Sequence, residues 1–499
     1  MWSALLFPSL ALDVFARAFT GDDHGRPFVV TSGGHYPRVV VANAAARGAG
    51  IERDQLISAA LALVPDVVMR ERDPRAESEA LSEIATLALV YTSNVCLAPP
   101  WSIVAEVGAS QLLFGGLRNL LSRLAADIQA RGYMLSLGLA PTPEAALLLA
   151  RAGEATPVLH REALPEALAP IGLVNSGLDP VVVEALGTAG ITTFGQAAAL
   201  PRDGLARRFG DDVVTFIDRA LGRQPDPRIP FTPPPHFSRR LELPTPVADS
   251  EALGFALHRL ISELATWLTV RGLGVTQLEL ELKHERYLRE RGMPPTLVPF
   301  ALGAPTRTGT HLFGTLRERL ARVALPAPVE IITLSSEEVV PLAGHNLGLL
   351  PGDDTHSSDV PLLDRLRARL GDDAVVLIAP RADHRPELAE KRVRLDFSHL
   401  SAPEGRRVGQ IASDSPFPTL PPRPLWLLNE PQPLSALLEA APWVLKDGPE
   451  RIESGWWDGR DFRRDYFVAE SPAGELVWIY RDHRYGLEAG EWFLHGWFG

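Results

Sequence analysis

Apolar and polar positions along this chain repeat with two periods, and the switches between them mark its segments. Ser3–Leu12 is a mostly apolar run that predicts a buried strand, with a short helix from Asp13. Phe28–Val30 and Val39–Ala42 are short β-type runs on either side of the turn Ser32-Gly33-Gly34. Apolar residues recur at helical spacing in Ala76–Leu89 and in Leu117–Arg131, which Gly132 ends. Ser102–Val107 and Leu135–Leu139 read as strands, and Thr142–Arg151 as an Ala/Leu helix. Strands mixed with helices in this order predict an α+β or α/β first domain that ends near residue 150.

Residues 160–222 read as all-helical, with Leu186–Ile191 and Leu200-Pro201 as the joints between helices. Such a helix, Gly turn and helix can turn its amides toward a phosphate, though many bundles use the same turn without touching DNA. Pro225, Pro227, Pro230, Pro233, Pro234 and Pro235 then predict an extended, polyproline-like tether. Beyond it, a long amphipathic helix over Ser250–Thr269 stops at Gly272. Gln277–Lys283 turns Leu278, Leu280 and Leu282 inward, His311–Leu325 is a second helix, and Val329–Leu334 is a further strand. These make a small α+β domain. Leu362–Leu370 predicts a helix and Ala374–Ala379 a strand; residues 415–435 are again Pro-rich. Seven of the ten Trp residues lie beyond residue 420, in aromatic strands separated by Asp458-Gly459 and Pro472-Ala473-Gly474, the pattern of β-hairpins. Those aromatics have two readings: a core for the hairpin module itself, or anchors for a partner.

The 499 residues allow three or four domains, and one cysteine, Cys96, excludes a disulfide framework and a Cys-based zinc site. It fits a reducing compartment, so a cytoplasmic location is expected. No apolar run long enough for a membrane span occurs, and Met1–Leu12 lacks the basic start of a signal peptide. The net charge of −12 is not that of an obvious nucleic-acid binder. His236–Leu325 departs from it, with 12 Lys+Arg against 9 Asp+Glu, and is the best candidate for a duplex-facing surface. The 13 His residues show no H-E-x-x-H spacing. His384 with Asp383 and Glu387 is a local polar cluster, read as a turn rather than a metal site.

Several longer strings carry a family likeness. Val41-Ala42-Asn43 through Ala46-Arg47-Gly48-Ala49-Gly50-Ile51 resembles the fingers motif of the Y-family lesion-bypass DNA polymerases. Glu106-Val107-Gly108-Ala109-Ser110 with Leu113-Phe114-Gly115-Gly116 resembles their palm, Leu186–Ile191 with Leu200-Pro201 and Arg208-Phe209-Gly210 their thumb, and Leu241–Pro246 with Arg271-Gly272-Leu273-Gly274 their little finger. The likeness covers about the first 335 residues. Within that superfamily the chain is most similar to the ImuB group, the polymerase-like member of a bacterial mutagenesis complex. Gly448–Ile452, Trp456-Trp457, Arg463–Tyr466 and Trp492–Gly496 resemble that group's C-terminal segment. The fold class this implies is multidomain α+β: a palm and fingers over residues 1–155, a helical thumb over 156–224, a Pro-rich linker over 225–236, and an α+β little finger over 237–335. A clamp-binding loop over 336–352, a partner-binding region over 353–440 and an aromatic β module over 441–499 would follow.

Nucleotide transfer needs two divalent metals held by hard carboxylate oxygens. The resemblance places one Asp pair on the first strand and an Asp-Glu pair on a later one. The first strand reads Leu5-Leu6-Phe7-Pro8-Ser9-Leu10-Ala11-Leu12, with no acid before Asp13. With Glu106 as the trailing acid, Trp101 and Ser102 stand where the pair should be, and Ser93–Ala105 contains no Asp or Glu to rescue a shifted alignment. Leu6, Trp101 and Ser102 are therefore degenerate metal positions, and no catalytic residue, metal or cofactor is expected. In the fingers, Arg47 remains as a nucleotide-binding remnant, while Ala44 stands in place of a phosphate-binding Tyr.

The resemblance then implies a non-catalytic adaptor of DNA damage tolerance. Its partners would be the bacterial sliding clamp, the RecA-like ImuA, an error-prone C-family DNA polymerase and primer-template DNA. The string His345-Asn346-Leu347-Gly348-Leu349-Leu350 is similar to clamp ligands, with His345, Leu347, Leu349 and Leu350 as the contacts, apolar side chains entering a pocket under a polar head. Gln111-Leu112-Leu113-Phe114 is a better word in a worse place, since Leu113 and Phe114 are expected in the palm core. Arg207, Arg208, Arg239 and Arg240 are candidate phosphate contacts, and a solvated structural role is as good a reading for each. Two rivals stand: an active polymerase using Asp13 and Glu106, and a protein-only scaffold without DNA binding.

Overall fold

In a computed structural model, the described residues are 1–17, 25–336, 338–342, 360–394, 423–434, 443–459, 461–483 and 491–498. They fall into two compact units, Met1–Arg369 and Leu370–Gly499.

The first unit begins with a four-stranded antiparallel sheet in the order Val95–Ala98, Ser102–Glu106, Trp2–Leu6, Ser136–Ala140. Alternation on these strands feeds two cores. Ala4, Val104 and Ala140 face the helix Pro143–Ala152 and the helical residues beyond it. Leu5, Ile103 and Ala105 face the helices Pro74–Ala88 and Leu117–Ala130. The helix Pro143–Ala152 lies directly on Gly138, where any Cβ would collide with the Ala146 carbonyl. Both long helices that begin with proline are capped: Asp73 accepts from the Arg75 and Ala76 amides, and Thr142 from the Ala145 amide. A smaller sheet pairs Phe28–Thr31 antiparallel with Val39–Ala42 and parallel with Val68–Glu71.

The opening run departs from expectation. Its strand is Trp2–Leu6, and Leu10–Ala16 is already helical, with Leu10, Ala11, Leu12 and Asp13 buried. Pro8 supplies no N–H to a ladder, and a short apolar run fits a buried helix as well as a buried strand.

Between residues 161 and 220 the chain forms a series of short helices, including Pro180–Thr188, Phe194–Ala198, Arg202–Phe209 and Asp211–Ala220. The Pro-rich segment after them has no regular structure, but it is docked rather than a free tether. The Phe231 amide donates to the Val95 carbonyl at 2.7 Å, and Arg228 pairs with Glu144 at 2.6 Å. The Pro234 carbonyl accepts from the Trp267 indole at 3.0 Å. The next sheet runs Thr296–Thr306, Leu273–His284, Val329–Ser336, Phe237–Val247, with Val339–Pro341 added beside Leu273–His284. Leu278, Leu280 and Leu282 are buried under the helices Gly254–Arg271 and Gly309–Leu320. The helix Val360–Leu370 is tied to this layer through buried Asp364, which accepts from the Gly303 amide at 2.9 Å and faces His311 at 3.1 Å.

The second unit holds the hairpin Val376–Pro380 with Glu390–Arg394, and a five-stranded antiparallel sheet. The sheet order is Trp426–Pro433, Trp492–Trp497, Leu476–Asp482, Phe462–Glu470, Val444–Ser454. Its aromatics divide between the two readings. Tyr466, Trp478, Tyr480 and His495 stack as a buried core, while Trp426, Trp456 and Trp457 are exposed.

Candidate functional site: the acid-free end of the first sheet

The strand register brings the degenerate metal positions together. Leu6 lies opposite Ser102, and the Phe7 amide donates to the Trp101 carbonyl at 2.8 Å. The Trp101 indole N–H donates to Glu77 Oε2 at 3.1 Å. Arg72 grips the same carboxylate as a fork, at 2.7 and 2.8 Å, and its guanidinium lies 5.7 Å from the Trp101 ring. Among the described residues two buried acids flank this sheet end: Glu77, whose oxygens are already satisfied, and Asp13, which is tied to Met134 just before Ser136, the partner of Leu6. Sequence reasoning passed over Glu77 and Arg72. Asp73-Pro74 marks a helix start, but nothing local signals that Trp101 reaches that helix.

Asp13 and Glu106, the two acids of the rival reading, have other tasks. Asp13 is 3% exposed and accepts from the Met134 amide and the Ser9 hydroxyl, both at 3.1 Å. Burial pushes its carboxyl up to about 6, against those hydrogen bonds and the charge of Arg17. Glu106 takes the Met1 ammonium at 2.9 Å and the amides of Gly108 and Ala109 at 3.0 and 3.1 Å. Burial alone would raise its carboxyl; the terminal ammonium and the two amides outweigh that and hold it low. Glu106 lies opposite Trp2, at the far end of the ladder from the Leu6–Ser102 pair. Four strand residues span about 13 Å, while paired catalytic metals sit about 4 Å apart, so Glu106 cannot join a site at Ser102. Among the described residues, no group of three or more His, Cys, Asp or Glu is placed to hold a metal ion. The donor set at the sheet end therefore does not fit the divalent metals of nucleotide transfer.

A cavity of about 160 Å³ opens beside Trp101, with Pro8 and Ala11 on one wall and Val41, Arg47 and Arg53 on the other. Small-molecule sites usually start at about 300 Å³, so this one is undersized for a nucleotide. Arg47 donates to the Ala42 carbonyl at 3.1 Å, and Ala44 opens the short helix Ala44–Gly48.

The candidate phosphate contacts separate. Arg207 and Arg208 are exposed in the last turn of Arg202–Phe209. Arg240 is exposed and pairs with Glu242 at 3.0 Å. Arg239 is turned inward instead, its side chain 13% exposed and its Nε 3.7 Å from buried Glu263. Neighbouring strand residues point to opposite faces, so one of this pair had to face the packed side.

His345, Leu347, Leu349 and Leu350 lie outside the described residues. The expectation for Gln111–Phe114 needs correcting. The segment is a single 3-10 turn in which Leu112 and Leu113 are 87% and 85% exposed. Only Phe114 is half-buried, its ring 5.2 Å from Tyr91. Gly115 and Gly116, both at positive φ, lift the turn off the core before the next helix begins. The His384 turn is ionic. Hydrogen bonds from Arg385 hold the Asp383 carboxyl at about 2, and Glu387 pairs with Arg464 at 2.7 Å.

Comparison with known proteins follows the same lines. Residues 13–151 match the impB/mucB/samB family. The described residues form α+β layers followed by a β-rich C-terminal unit. The chain is similar to Protein ImuB of Caulobacter vibrioides (strain NA1000 / CB15N), which is 27% identical over 485 residues, covering 90% of this chain and 100% of the relative. Among solved structures, DinB from Sulfolobus solfataricus is 15% identical, over 69% of this chain and 100% of that one, with a TM-score of 0.38. An insertion ternary complex of Dbh DNA polymerase is 16% identical, over 67% and 97%, with a TM-score of 0.39.

Proposed function

We propose that this chain is a non-catalytic adaptor of DNA damage tolerance. It binds primer-template DNA and the sliding clamp and recruits a separate error-prone C-family polymerase, with ImuA as a further partner. The observation that carries the non-catalytic part is the sheet end, where Leu6, Trp101 and Ser102 meet, Arg72 and Trp101 hold Glu77, and no group of three or more metal ligands gathers among the described residues. The partners rest on the likeness to Protein ImuB. The domain reading goes with this proposal: 1–155 and 237–335 correspond to palm with fingers and to little finger, 156–224 to the thumb, and the segments beyond 336 to partner contacts. No helix among the described residues is long and apolar enough to cross a membrane. A cytoplasmic location fits the partners.

DNA would be met by Arg207, Arg208 and Arg240, while Arg239 is turned inward toward Glu263 in the free protein. The clamp would be held by His345, Leu347, Leu349 and Leu350. A second clamp reading is favoured by one observation, the exposure of Leu112 and Leu113 beside Gln111. Pull-down of purified clamp by the full chain separates the two. Loss of capture in Leu349→Ala with Leu350→Ala supports the first reading, and loss in Leu112→Ala with Leu113→Ala the second. Capture that survives both pairs contradicts both. Fluorescence anisotropy of labelled primer-template at low salt tests the DNA part. A flat titration would leave a protein-only scaffold.

A further inference from the structure

Six ionisable side chains are buried where two layers of the first unit meet. Arg17 follows the helix Leu10–Ala16, Glu83 lies on Pro74–Ala88, and Arg131 follows Leu117–Ala130. Across from them, Arg239 comes from strand Phe237–Val247, and Arg259 and Glu263 from helix Gly254–Arg271. Their side chains are between 4% and 15% exposed.

Arg17 is the bridge. Its Nη1 donates to Glu83 Oε2 at 2.7 Å and its Nη2 to Glu263 Oε1 at 2.5 Å. Arg131 Nη1 lies 3.5 Å from Glu83, and its Nη2 donates to the Thr266 hydroxyl at 2.6 Å. Arg259 donates to the backbone carbonyls of Arg17, at 2.8 Å, and of Arg131. The Tyr133 hydroxyl donates to Glu83 at 2.7 Å. Arg239 and Arg259 both approach Glu263 only at 3.7 Å.

Two features set this joint apart from an ordinary packed interface. The buried apolar residues of the two layers form separate cores, one around Leu5, Ile84 and Leu124 and the other around Leu260, Trp267 and Leu280. Charge is also unbalanced: among the described residues four arginines face two glutamates, and the Nε atoms of Arg17, Arg239 and Arg259 have no hydrogen-bond partner. Buried ion pairs contribute little net stability compared with apolar packing, and a surplus of like charge lowers that further. Such a joint specifies one arrangement without sealing it.

We propose that this cluster is a releasable clamp. It holds the 237–336 layer against the first sheet and its helices in the free protein, and it opens when a polyanion offers Arg239 and Arg259 better partners than a shared Glu263. Arg239 is suited to lead the exchange, because it sits beside exposed Arg240 on the same strand. The clamp does not depend on the adaptor reading, since inorganic polyphosphate serves as the probe in place of DNA.

The test is hydrogen–deuterium exchange on the full chain. In the wild type, Pro74–Ala88 and Gly254–Arg271 should be protected and should lose protection together when polyphosphate is added. Glu263→Gln should lose it without polyphosphate, while Asp211–Ala220 and the C-terminal strands keep theirs. The triple variant Arg239→Met, Arg259→Met, Glu263→Met should stay protected whether or not polyphosphate is present. Wild-type helices indifferent to polyphosphate, or a triple variant as sensitive as the wild type, would overturn the proposal. Should Glu263→Gln unfold the whole chain, the wild-type and triple-variant titrations decide the matter alone.

Discussion

Two places in the first unit contrast in how they handle buried charge. At the end of the first sheet, Leu6, Ser102 and Trp101 meet with Glu77 and Asp13 on separate helices beside them, and Arg47 and Arg53 line the adjoining cavity. At the joint between the layers, Glu83 and Glu263 sit among four arginines. At the sheet end Arg72 and Trp101 hold Glu77, and a backbone amide and a hydroxyl hold Asp13; at the joint Arg17 and Tyr133 hold Glu83, one of whose oxygens has no hydrogen-bond partner. A divalent cation needs several carboxylates converging on one point, and among the described residues neither place gathers them. The difference between them is one of use: the joint uses its charges to hold two layers in register, and the sheet end keeps its two acids apart, each on its own local partners.

The largest effect should come from breaking the charged side of this comparison. Glu83→Ala strands Arg17 and Arg131 beside each other and should cost about 3–5 kcal/mol. Urea unfolding measures it, and a loss well under 1 kcal/mol would mean that the cluster is solvated. Asp13→Asn should act in the opposite direction. Its folded carboxyl titrates at about 6, above the ordinary 3.8, so folding favours the protonated acid. That contribution is full below about pH 4, declines as pH rises through 6 and is gone at neutral pH. The Asn variant should therefore be more stable by about 1–3 kcal/mol at pH 7 and lose that advantage near pH 4. Thermal melts across that range check both the sign and the window.

Smaller effects sharpen the contrast among arginines. Arg207→Ala and Arg208→Ala should each reduce the slope of log DNA affinity against log salt by about one. Arg239→Ala should reduce that slope as well, because a polyanion draws Arg239 from Glu263; an unchanged slope would mean that it stays with Glu263 when DNA binds. The smallest effect belongs to Glu106→Gln. Its pair with the Met1 ammonium is about a fifth exposed on each side, so stability should fall by less than about 1 kcal/mol. Urea midpoints measure this too, and a far larger loss would give Glu106 a task beyond that pair.

Much of this was legible in the sequence, for identifiable reasons. Gln277–Lys283 alternates because one face of its strand is buried. Ala76–Leu89 and Thr142–Arg151 show helical spacing, and Asp73-Pro74 and Thr142-Pro143 are the caps that start them. The missing acids could be read directly, since an absent carboxylate needs no fold to be seen. What stayed hidden depends on distant contacts. The partner of Trp101 is Glu77, 24 residues away, and the partner of Arg17 is Glu263, 246 residues away. No local pattern signals that Arg239 turns inward while Arg240 turns out. Leu113 and Phe114 looked like core because they are apolar, yet Leu113 is exposed and both stand on a one-turn helix with two glycines behind it. The strand Thr296–Thr306 was missed because Pro299 and Pro305 interrupt its pattern; it lies on the edge of its sheet, where missing N–H groups cost least.

The central claim is that the sheet end cannot perform nucleotide transfer, and primer extension by the purified full chain tests it most directly. The reaction would be run with magnesium and then manganese, on a preparation whose binding to the same primer-template has been measured. The expected result is binding without a single added nucleotide. Extension that disappears in Asp13→Asn or Glu106→Gln would contradict the claim and mean that those two carboxylates build a metal site after all.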